Sequence, residues 1–135
     1  MNDFAVLLDC ACQAREAAYA PYSKFAVGAA LLSASGQVFC GCNVENVSYG
    51  LTMCAERVAV FSAVAAGVCD FVGLAVVADG PEPVTPCGAC RQVLYEFAPD
   101  LRVIIANLHG QQKMFHLREL LPAAFDRFAA QDSPV

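Results

Sequence analysis

Two segments of this chain are apolar on both faces, and they constrain its fold more than any other feature. Residues 71–79 and 101–107 have the length of strands, and a strand with two apolar faces needs a covering layer on each side. The segment between them, residues 88–97, has the pattern of a helix. Strands that alternate with helices indicate a layered α/β domain whose later strands are parallel and joined by right-handed crossovers.

The other predicted elements complete this arrangement in one domain spanning residues 1–135, because no linker, internal repeat or low-complexity segment interrupts the chain. Asn2 or Asp3 can cap the first helix, Thr52 can cap the second, and Gly67 suits the position just past the second helix. Pro122 interrupts or restarts the last helix. The predicted elements are helices at 3–19, 54–67, 88–97 and near 117–129, and strands at 26–34, 37–43, 71–79, 101–107 and 113–116.

The composition excludes several classes of partner. The net charge is −5, and the eight Lys and Arg residues form no basic run, which argues against binding to nucleic acid. No apolar run is long enough to span a membrane, so no membrane partner is expected. Because 58% of residues are hydrophobic and only 16% are charged, we expect apolar surface to be buried between subunits.

The cysteine content predicts reduced thiols rather than disulfides. The first four residues lack the basic region and apolar core of a signal peptide, so we expect a cytosolic location, where the eight cysteines stay reduced or bind metal. Cys40 and Cys42 form a CxC without a matching second pair. We interpret Cys40 and Cys42 as structural residues. The same interpretation applies to the other cysteines and histidines outside the predicted metal site, namely Cys10, Cys12, Cys69, His109 and His116.

Three cysteines have the spacing of a catalytic metal centre. Cys54 precedes a predicted helix, and Cys87 and Cys90 form a CxxC at the start of the next one. Three thiolates can hold a tetrahedral Zn²⁺ and leave its fourth position open, as catalytic zinc sites do. Zinc lowers the pKa of bound water from about 15.7 toward about 7. The sequence therefore predicts one Zn²⁺ per chain at this site.

A carboxylate and a guanidinium accompany the first of these thiols. Glu56 is not required as a metal ligand, so it can accept and pass on protons as a general acid–base. Arg57 can offset the negative charge of three thiolates by donating to a ligand sulfur. Without Cys54 beside them, the same two residues would equally indicate an exposed pair on a helix.

Two readings of the cysteines compete with a catalytic zinc site. A structural zinc knot in a binding module would need a fourth ligand, which Cys40, Cys42 or His109 would have to supply. A redox CxxC at Cys87 and Cys90 would leave Glu56 without a role.

Longer motifs carry a resemblance to a known family. The pattern Cys-x-Glu followed by Pro-Cys-x-x-Cys is that of zinc deaminases that act on nucleobases. The chain resembles the small zinc-dependent cytidine deaminases of pyrimidine salvage over nearly its whole length. The matching runs are 41–46 (GCNVEN), 48–57 (SYGLTMCAER) and 86–94 (PCGACRQVL).

The resemblance implies a fold and an activity. The fold is a three-layer αβα domain with a mixed, largely five-stranded sheet. The activity is hydrolytic conversion of cytidine and deoxycytidine to uridine and deoxyuridine with release of ammonia. Other small-base deaminases lack the Asn-x-Glu pair that Asn43 and Glu45 provide here, and the acidic charge disfavours a polynucleotide substrate.

The resemblance also implies roles for individual residues. Cys54, Cys87 and Cys90 match the zinc ligands, Glu56 the proton carrier and Arg57 the arginine that neutralises the thiolates. Small members of the family are homotetramers with shared active sites. Among substrate-binding positions, Asn43 and Glu45 match the residues that hold the ribose hydroxyls. Phe25 matches the aromatic residue that packs on the base, and the backbone of Ala55 matches the group that contacts the pyrimidine edge. Tyr49 and Phe125 match residues that are lent to a neighbouring subunit. Taken alone, Asn43 and Glu45 indicate a turn, and Phe25 a core residue.

Overall fold

The computed structural model of the chain describes residues 3–128. The predicted cap Asn2 and the end of the last predicted helix, at 129, lie outside these residues, as does the tail from 130 to 135. A 3₁₀ turn covers Tyr49–Leu51. The helices are α1 (Asp3–Arg15), α2 (Ala55–Ala65), α3 (Gly88–Phe97) and α4 (Leu117–Leu120), and the strands are β1 (Val27–Ser33), β2 (Val38–Cys42), β3 (Phe71–Ala78), β4 (Arg102–Ala106) and β5 (Gln112–His116).

The five strands form one mixed sheet in the order β2-β1-β3-β4-β5. β3 and β4 are parallel, as predicted for strands joined through a helix. β1 is antiparallel to both β2 and β3, and β5 is antiparallel to β4. β5 follows β4 without a helix between them, and the short link at 107–111 folds the chain back as a hairpin, which makes the pair antiparallel.

Two apolar clusters on opposite faces of the sheet make the domain three-layered. One lies between the sheet and α1 and includes Leu7, Ala11 and Ala75. The other lies between the sheet and the remaining helices and includes Val60 and Leu94. Each fully buried leucine contributes about 1.5–3 kcal/mol relative to an exposed one. The predicted αβα architecture is confirmed.

Two glycines let helices approach the hairpin of β1 and β2 closely. A Cβ on Gly28 would lie 2.0 Å from the carbonyl oxygen of Ala11 in α1. A Cβ on Gly41 would lie 2.4 Å from the carbonyl oxygen of Ala55 and 2.5 Å from the nitrogen of Ala59 in α2. Real Cβ atoms do not approach backbone atoms this closely. The first turn of α2 therefore lies directly against the backbone of β2.

Two predicted helices are shorter than expected. After Arg15 the chain makes tighter turns, and Tyr19 leaves the helix to donate to the Asn43 carbonyl oxygen at 3.0 Å. The last helix ends at Leu120 rather than near 129. Pro122 disfavours helical backbone at the residue before it, and Ala123 adopts a φ of 53°.

No helix within the described part of the chain is long and apolar enough to cross a membrane.

Candidate active site and metal centre

The three predicted metal ligands come together at the starts of α2 and α3. Cys54 is the N-cap residue of α2 and Cys87 that of α3, both with extended backbone, while Cys90 lies in the first turn of α3. Thr52, the predicted cap, is instead the C-cap of the 3₁₀ turn, and its N–H donates to the Tyr49 carbonyl oxygen. The three sulfurs lie within 4.8 Å of one another, and those of Cys54 and Cys87 are 3.8 Å apart. Their predicted clustering is confirmed.

The charge state of the cluster indicates that it is built for a cation. Hydrogen bonds from the Cys90 thiol and from Arg57 lower the pKa of Cys54 to about 5, against the opposing effect of burial. The pKa of Cys90 is raised, because its proton is shared with Cys54 and because the thiol is buried. Without a bound cation, Cys54 ionises first, and its negative charge opposes ionisation of Cys90. Three soft sulfurs at this spacing fit Zn²⁺, whose charge would let all three ionise.

Arg57 lies beside these sulfurs, as its predicted role requires. Its Nη2 donates to Cys54 Sγ at 3.3 Å from one turn further along α2. The hydrogen bond to Cys54 raises the pKa of Arg57, so the guanidinium stays charged. Its Nε is buried and has no hydrogen-bond partner within residues 3–128.

Glu56 is a buried carboxyl group in the first turn of α2, with 5% of its surface exposed. Burial raises its pKa to about 7, the negative charge of Cys54 adds to the increase, and its own backbone N–H and Arg57 oppose it. A carboxyl group with a pKa near neutrality can both accept and release a proton, which suits general acid–base catalysis. Ala55, the first residue of α2, is fully buried beside it.

Glu45 is held by a turn that sequence reasoning missed. Its Oε1 accepts the N–H groups of Tyr22 at 2.9 Å and Ser23 at 3.1 Å, and its Oε2 accepts the Ser23 hydroxyl. These hydrogen bonds, the one from the Ser23 hydroxyl above all, lower the pKa of Glu45. Ser23 Oγ also accepts the N–H of Phe25 at 3.0 Å. One serine thus contacts both a predicted ribose residue and the backbone of the predicted base residue.

Asn43 binds backbone rather than facing an open cavity. Its Oδ1 accepts the N–H of Val27 at 2.9 Å and its Nδ2 donates to the Phe25 carbonyl oxygen at 2.7 Å. Its side chain is buried, whereas Phe25 is 40% exposed. The amide keeps one N–H and one lone pair for a further partner. In this structure Asn43 therefore fixes the backbone around Phe25, and its contact with a ribose stays a prediction.

The ribose segment and the metal helix are joined directly. Val44, between Asn43 and Glu45, exchanges two backbone hydrogen bonds of 2.9 Å with Met53. Met53 immediately precedes Cys54. Displacement of the metal ligand would therefore be transmitted to the two polar residues that flank Val44.

Tyr49 and Phe125, the residues predicted to be lent to a neighbour, both project outward. Tyr49 is 74% exposed and meets the Tyr22 ring edge-on at 5.8 Å. It borders a cavity of about 340 Å³ that Ser23 and Glu45 also line. Phe125 is 66% exposed and contacts Phe128. It does not line that cavity but a separate one next to Tyr95 and Arg118.

Among the residues that the structure describes, no fourth ligand for a structural zinc knot lies at the cluster. Within residues 3–128, the cluster of potential metal-ligating atoms contains only Cys54, Cys87 and Cys90. His109 instead lies 3.1 Å from the Asp79 carboxylate, and Cys40 Sγ lies 3.9 Å from the Cys10 carbonyl oxygen. All eight cysteines are free.

Comparisons with known proteins agree with this geometry. The family model described as the cytidine and deoxycytidylate deaminase zinc-binding region matches residues 1–107. A cytidine deaminase of Halalkalibacterium halodurans is 55% identical over 124 residues, which cover 91% of this chain and 94% of that protein. A cytidine deaminase of Sporosarcina psychrophila is 53% identical over 116 residues, covering 85% of each chain.

Solved structures give the same result. The crystal structure of a cytidine deaminase from Burkholderia pseudomallei superposes with a TM-score of 0.87 at 52% identity, over 90% of this chain and 98% of that one. That of Mycobacterium tuberculosis superposes with a TM-score of 0.80 at 43% identity, over 94% of this chain and all of the other. The chain therefore belongs to the cytidine and deoxycytidylate deaminase family of zinc-binding proteins.

Proposed function

We propose that this chain deaminates cytidine and deoxycytidine hydrolytically, giving uridine or deoxyuridine and ammonia as a step of pyrimidine salvage. The observation that carries the proposal is a buried carboxyl group, Glu56, in the first turn of the helix that begins after Cys54, one of a cluster of three thiols. Thiols alone would suit a structural site. A carboxyl group that is buried beside them without being a ligand suits proton transfer.

Cys54, Cys87 and Cys90 would hold one Zn²⁺ per chain, and zinc supplies a water molecule whose pKa lies near neutrality. Glu56 accepts a proton from the attacking water and delivers it to N3 of the ring. It then takes the remaining proton from the new C4 hydroxyl group and delivers it to the departing amine, so that the water oxygen stays on C4 as a carbonyl and nitrogen leaves as ammonia. The positively charged guanidinium of Arg57 stays hydrogen-bonded to Cys54 Sγ throughout.

The remaining predicted residues orient the nucleoside. The backbone of Ala55 reads the edge of the pyrimidine, and Phe25 packs on the base. Glu45 and the remaining N–H group and lone pair of the Asn43 amide bind the ribose hydroxyls. The preorganised Glu45 carboxylate supports this role, since three hydrogen bonds already fix its position. The negative charge of Glu45 also repels the phosphate of a nucleotide, which favours a nucleoside as the substrate.

The test is direct. Zinc-loaded protein mixed with cytidine should release one ammonia per uridine formed, measured by an ammonia assay and by the fall in nucleoside absorbance. Cytosine and deoxycytidine 5′-monophosphate are the matched substrates, since one lacks the sugar and the other carries a phosphate. No turnover of cytidine by zinc-loaded protein would refute the proposal.

The proposed assembly is a homotetramer in which Tyr49 and Phe125 enter neighbouring active sites, and the proposed compartment is the cytosol. The outward orientation of both side chains supports sharing, and eight free cysteines support a reducing compartment. Sedimentation measures the oligomeric state. Sharing is tested by co-expressing Glu56→Gln with Phe125→Ala. Hybrid oligomers should recover activity that neither variant has, because some sites combine an intact Glu56 with an intact Phe125 from the other chain.

A further inference from the structure

Arg91, directly after the metal ligand Cys90, makes contacts that the proposed mechanism does not use. Its side chain is partly buried and its guanidinium joins two distant parts of the chain. Pro86, which immediately precedes Cys87, is fully buried. Leu120 is the last residue of α4. Arg91 donates from Nε to the Pro86 carbonyl oxygen at 2.7 Å, from Nη1 to the Leu120 carbonyl oxygen at 2.7 Å, and from Nη2 to Thr85 Oγ1 at 2.8 Å.

Gln92 continues this pattern by one residue. Its Nε2 donates to the carbonyl oxygen of Phe125 at 2.6 Å. Residues 121–128, here called the C-terminal segment, follow α4 and carry Phe125. The segment is irregular, and Ala123 has a φ of 53°. Side chains of α3 therefore hold backbone carbonyl groups both at Leu120, directly before the segment, and at Phe125 within it.

We propose that Arg91 and Gln92 are positioning residues that fix the C-terminal segment, and with it Phe125, relative to the metal centre. The role of Phe125 rests on the function proposed above. Arg91 has a second task, which is to hold the backbone that presents Cys87. Neither residue belongs to the substrate-binding set proposed above, so both act through the groups that they orient.

The chemistry of the acceptors supports this assignment. The last carbonyl groups of a helix have no partner within the helix, and Leu120 O is one of them. A guanidinium can satisfy two carbonyl groups in a fixed planar geometry, whereas a lysine ammonium is a single mobile point charge. Since Arg91 joins the residue before a metal ligand to the end of α4, a shift at either place is transmitted to the other.

Arg91 and Gln92 bind different sets of backbone carbonyl groups, so substitutions of the two residues should have different effects. Within residues 3–128, the hydrogen bond from the Gln92 side chain goes to the C-terminal segment, whereas Arg91 also binds the backbone before Cys87. We therefore expect Gln92→Ala to raise the KM for cytidine about fivefold, the ratio that corresponds to one neutral hydrogen bond. Its kcat and its rate of zinc release should stay within about twofold of the unmodified protein.

Arg91→Lys should affect both sites. Loss of the contact to Pro86 O loosens the Cys87 backbone, so zinc should pass to a chromogenic chelator about tenfold faster, in line with the loss of one charge-assisted hydrogen bond. The KM should rise as in Gln92→Ala. The controls are Gln13→Ala, an exposed glutamine on α1, and Arg102→Lys, whose side chain lies over Phe4 on the opposite layer.

The experiment compares these four variants as zinc-loaded proteins in steady-state kinetics, zinc release and amide hydrogen exchange. Exchange in peptides covering residues 121–128 should accelerate in Gln92→Ala and Arg91→Lys and stay unchanged in both controls. The proposal is overturned if Gln92→Ala changes the melting temperature but neither KM nor exchange in this segment. It is also overturned if Arg91→Lys releases zinc no faster than Arg102→Lys.

Failure of the proposed function would be seen separately. If the unmodified protein does not turn over cytidine, the deaminase proposal is wrong, while zinc release and hydrogen exchange still decide whether Arg91 and Gln92 hold the two segments. If Arg91→Lys does not fold, the exchange rates and the KM of Gln92→Ala decide the matter.

Discussion

The sulfurs of Cys54 and Cys87 lie 3.8 Å apart although 33 positions separate the two residues in the chain. Each is the N-cap of its helix, and neither side chain caps the helix by hydrogen bonding. Both sulfurs are thus available to a shared ligand. The positive ends of two helix dipoles favour thiolates there, which reduces the cost of bringing three sulfurs together.

Metal binding should depend on these sulfurs and not on cysteine content in general. We expect Cys87→Ser to lose most of its zinc and Cys69→Ser, which changes an exposed cysteine outside the cluster, to keep about one zinc per chain. Zinc content measured by atomic absorption after dialysis checks this. A chelator should also lower the melting temperature of the unmodified protein by several degrees, because it removes a ligand of the folded state. Full zinc occupancy in Cys87→Ser would contradict the assignment.

Glu56→Gln should separate metal binding from catalysis. The amide has nearly the same shape but cannot carry a proton, so turnover of cytidine should fall by about 10²–10⁴-fold, the usual range for a general acid–base group. Zinc content should be unchanged, because the residue is not a ligand. Glu16→Gln, an exposed residue beyond α1, is the control. Loss of zinc together with activity would instead make Glu56 part of a structural metal site.

The same carboxyl group predicts a pH dependence of stability in the metal-free protein. Its pKa is about 7 when folded and about 4.5 in its ordinary state. The folded state therefore binds this proton more tightly, and its stabilisation is complete below pH about 4.5 and lost as the pH rises through about 7. At 1.36 kcal/mol per pKa unit, the loss is about 3 kcal/mol.

Urea unfolding in a chelator checks this sign. Metal-free Glu56→Gln should be more stable than metal-free unmodified protein by about 3 kcal/mol at pH 8 and no more stable at pH 4.5. Cys54 titrates in both proteins, so the difference between them reports Glu56 together with its electrostatic coupling to the thiols. An equal difference at both pH values would show that the carboxyl group is not buried in the folded state.

Ser23→Ala should weaken nucleoside binding. The substitution removes the hydroxyl that donates to Glu45 and that accepts the Phe25 N–H, so both the sugar and the base lose preorganised contacts. We expect KM for cytidine to rise about fivefold or more, with zinc content unchanged. Ser62→Ala, an exposed serine on α2, is the matched control. Equal KM values for the two variants would mean that Glu45 is held well enough by backbone alone.

Local sequence signals predicted the helix starts and, through them, the metal cluster. Cys54, Cys87 and Cys90 lie at helix starts and come together as expected, and the bounds of α3 are as predicted. The predicted end of the last helix was wrong because the chain leaves helical backbone at Pro122 and Ala123. The predicted end of α1 was wrong because a longer-range contact competes with the helix. Tyr19 pairs with Asn43 instead of continuing α1.

Hydrogen bonds between side chains and backbone groups that are far apart in the chain leave no pattern in the sequence, so they could not be predicted. Ser23 reaches Glu45 across 22 positions and Arg91 reaches Leu120 across 29, and neither contact has a periodicity or a spacing rule. The turn at 21–25 carried one usable signal, Pro21 followed by the polar residues Ser23 and Lys24. The family resemblance predicted a ribose contact for Asn43, which stays a prediction, and in this structure the Asn43 side chain binds the backbone of Phe25 and Val27.

The missing side chain at Gly41 has a consequence for how the reaction can be altered by mutation. A methyl group there would overlap the Ala55 carbonyl oxygen, so α2 would have to move outward and carry Cys54 and Glu56 with it. Position 41 supplies no functional group, yet it limits where the proton carrier and a metal ligand can stand. Tolerance to substitution at position 41 should therefore follow the size of the side chain introduced rather than its chemical character.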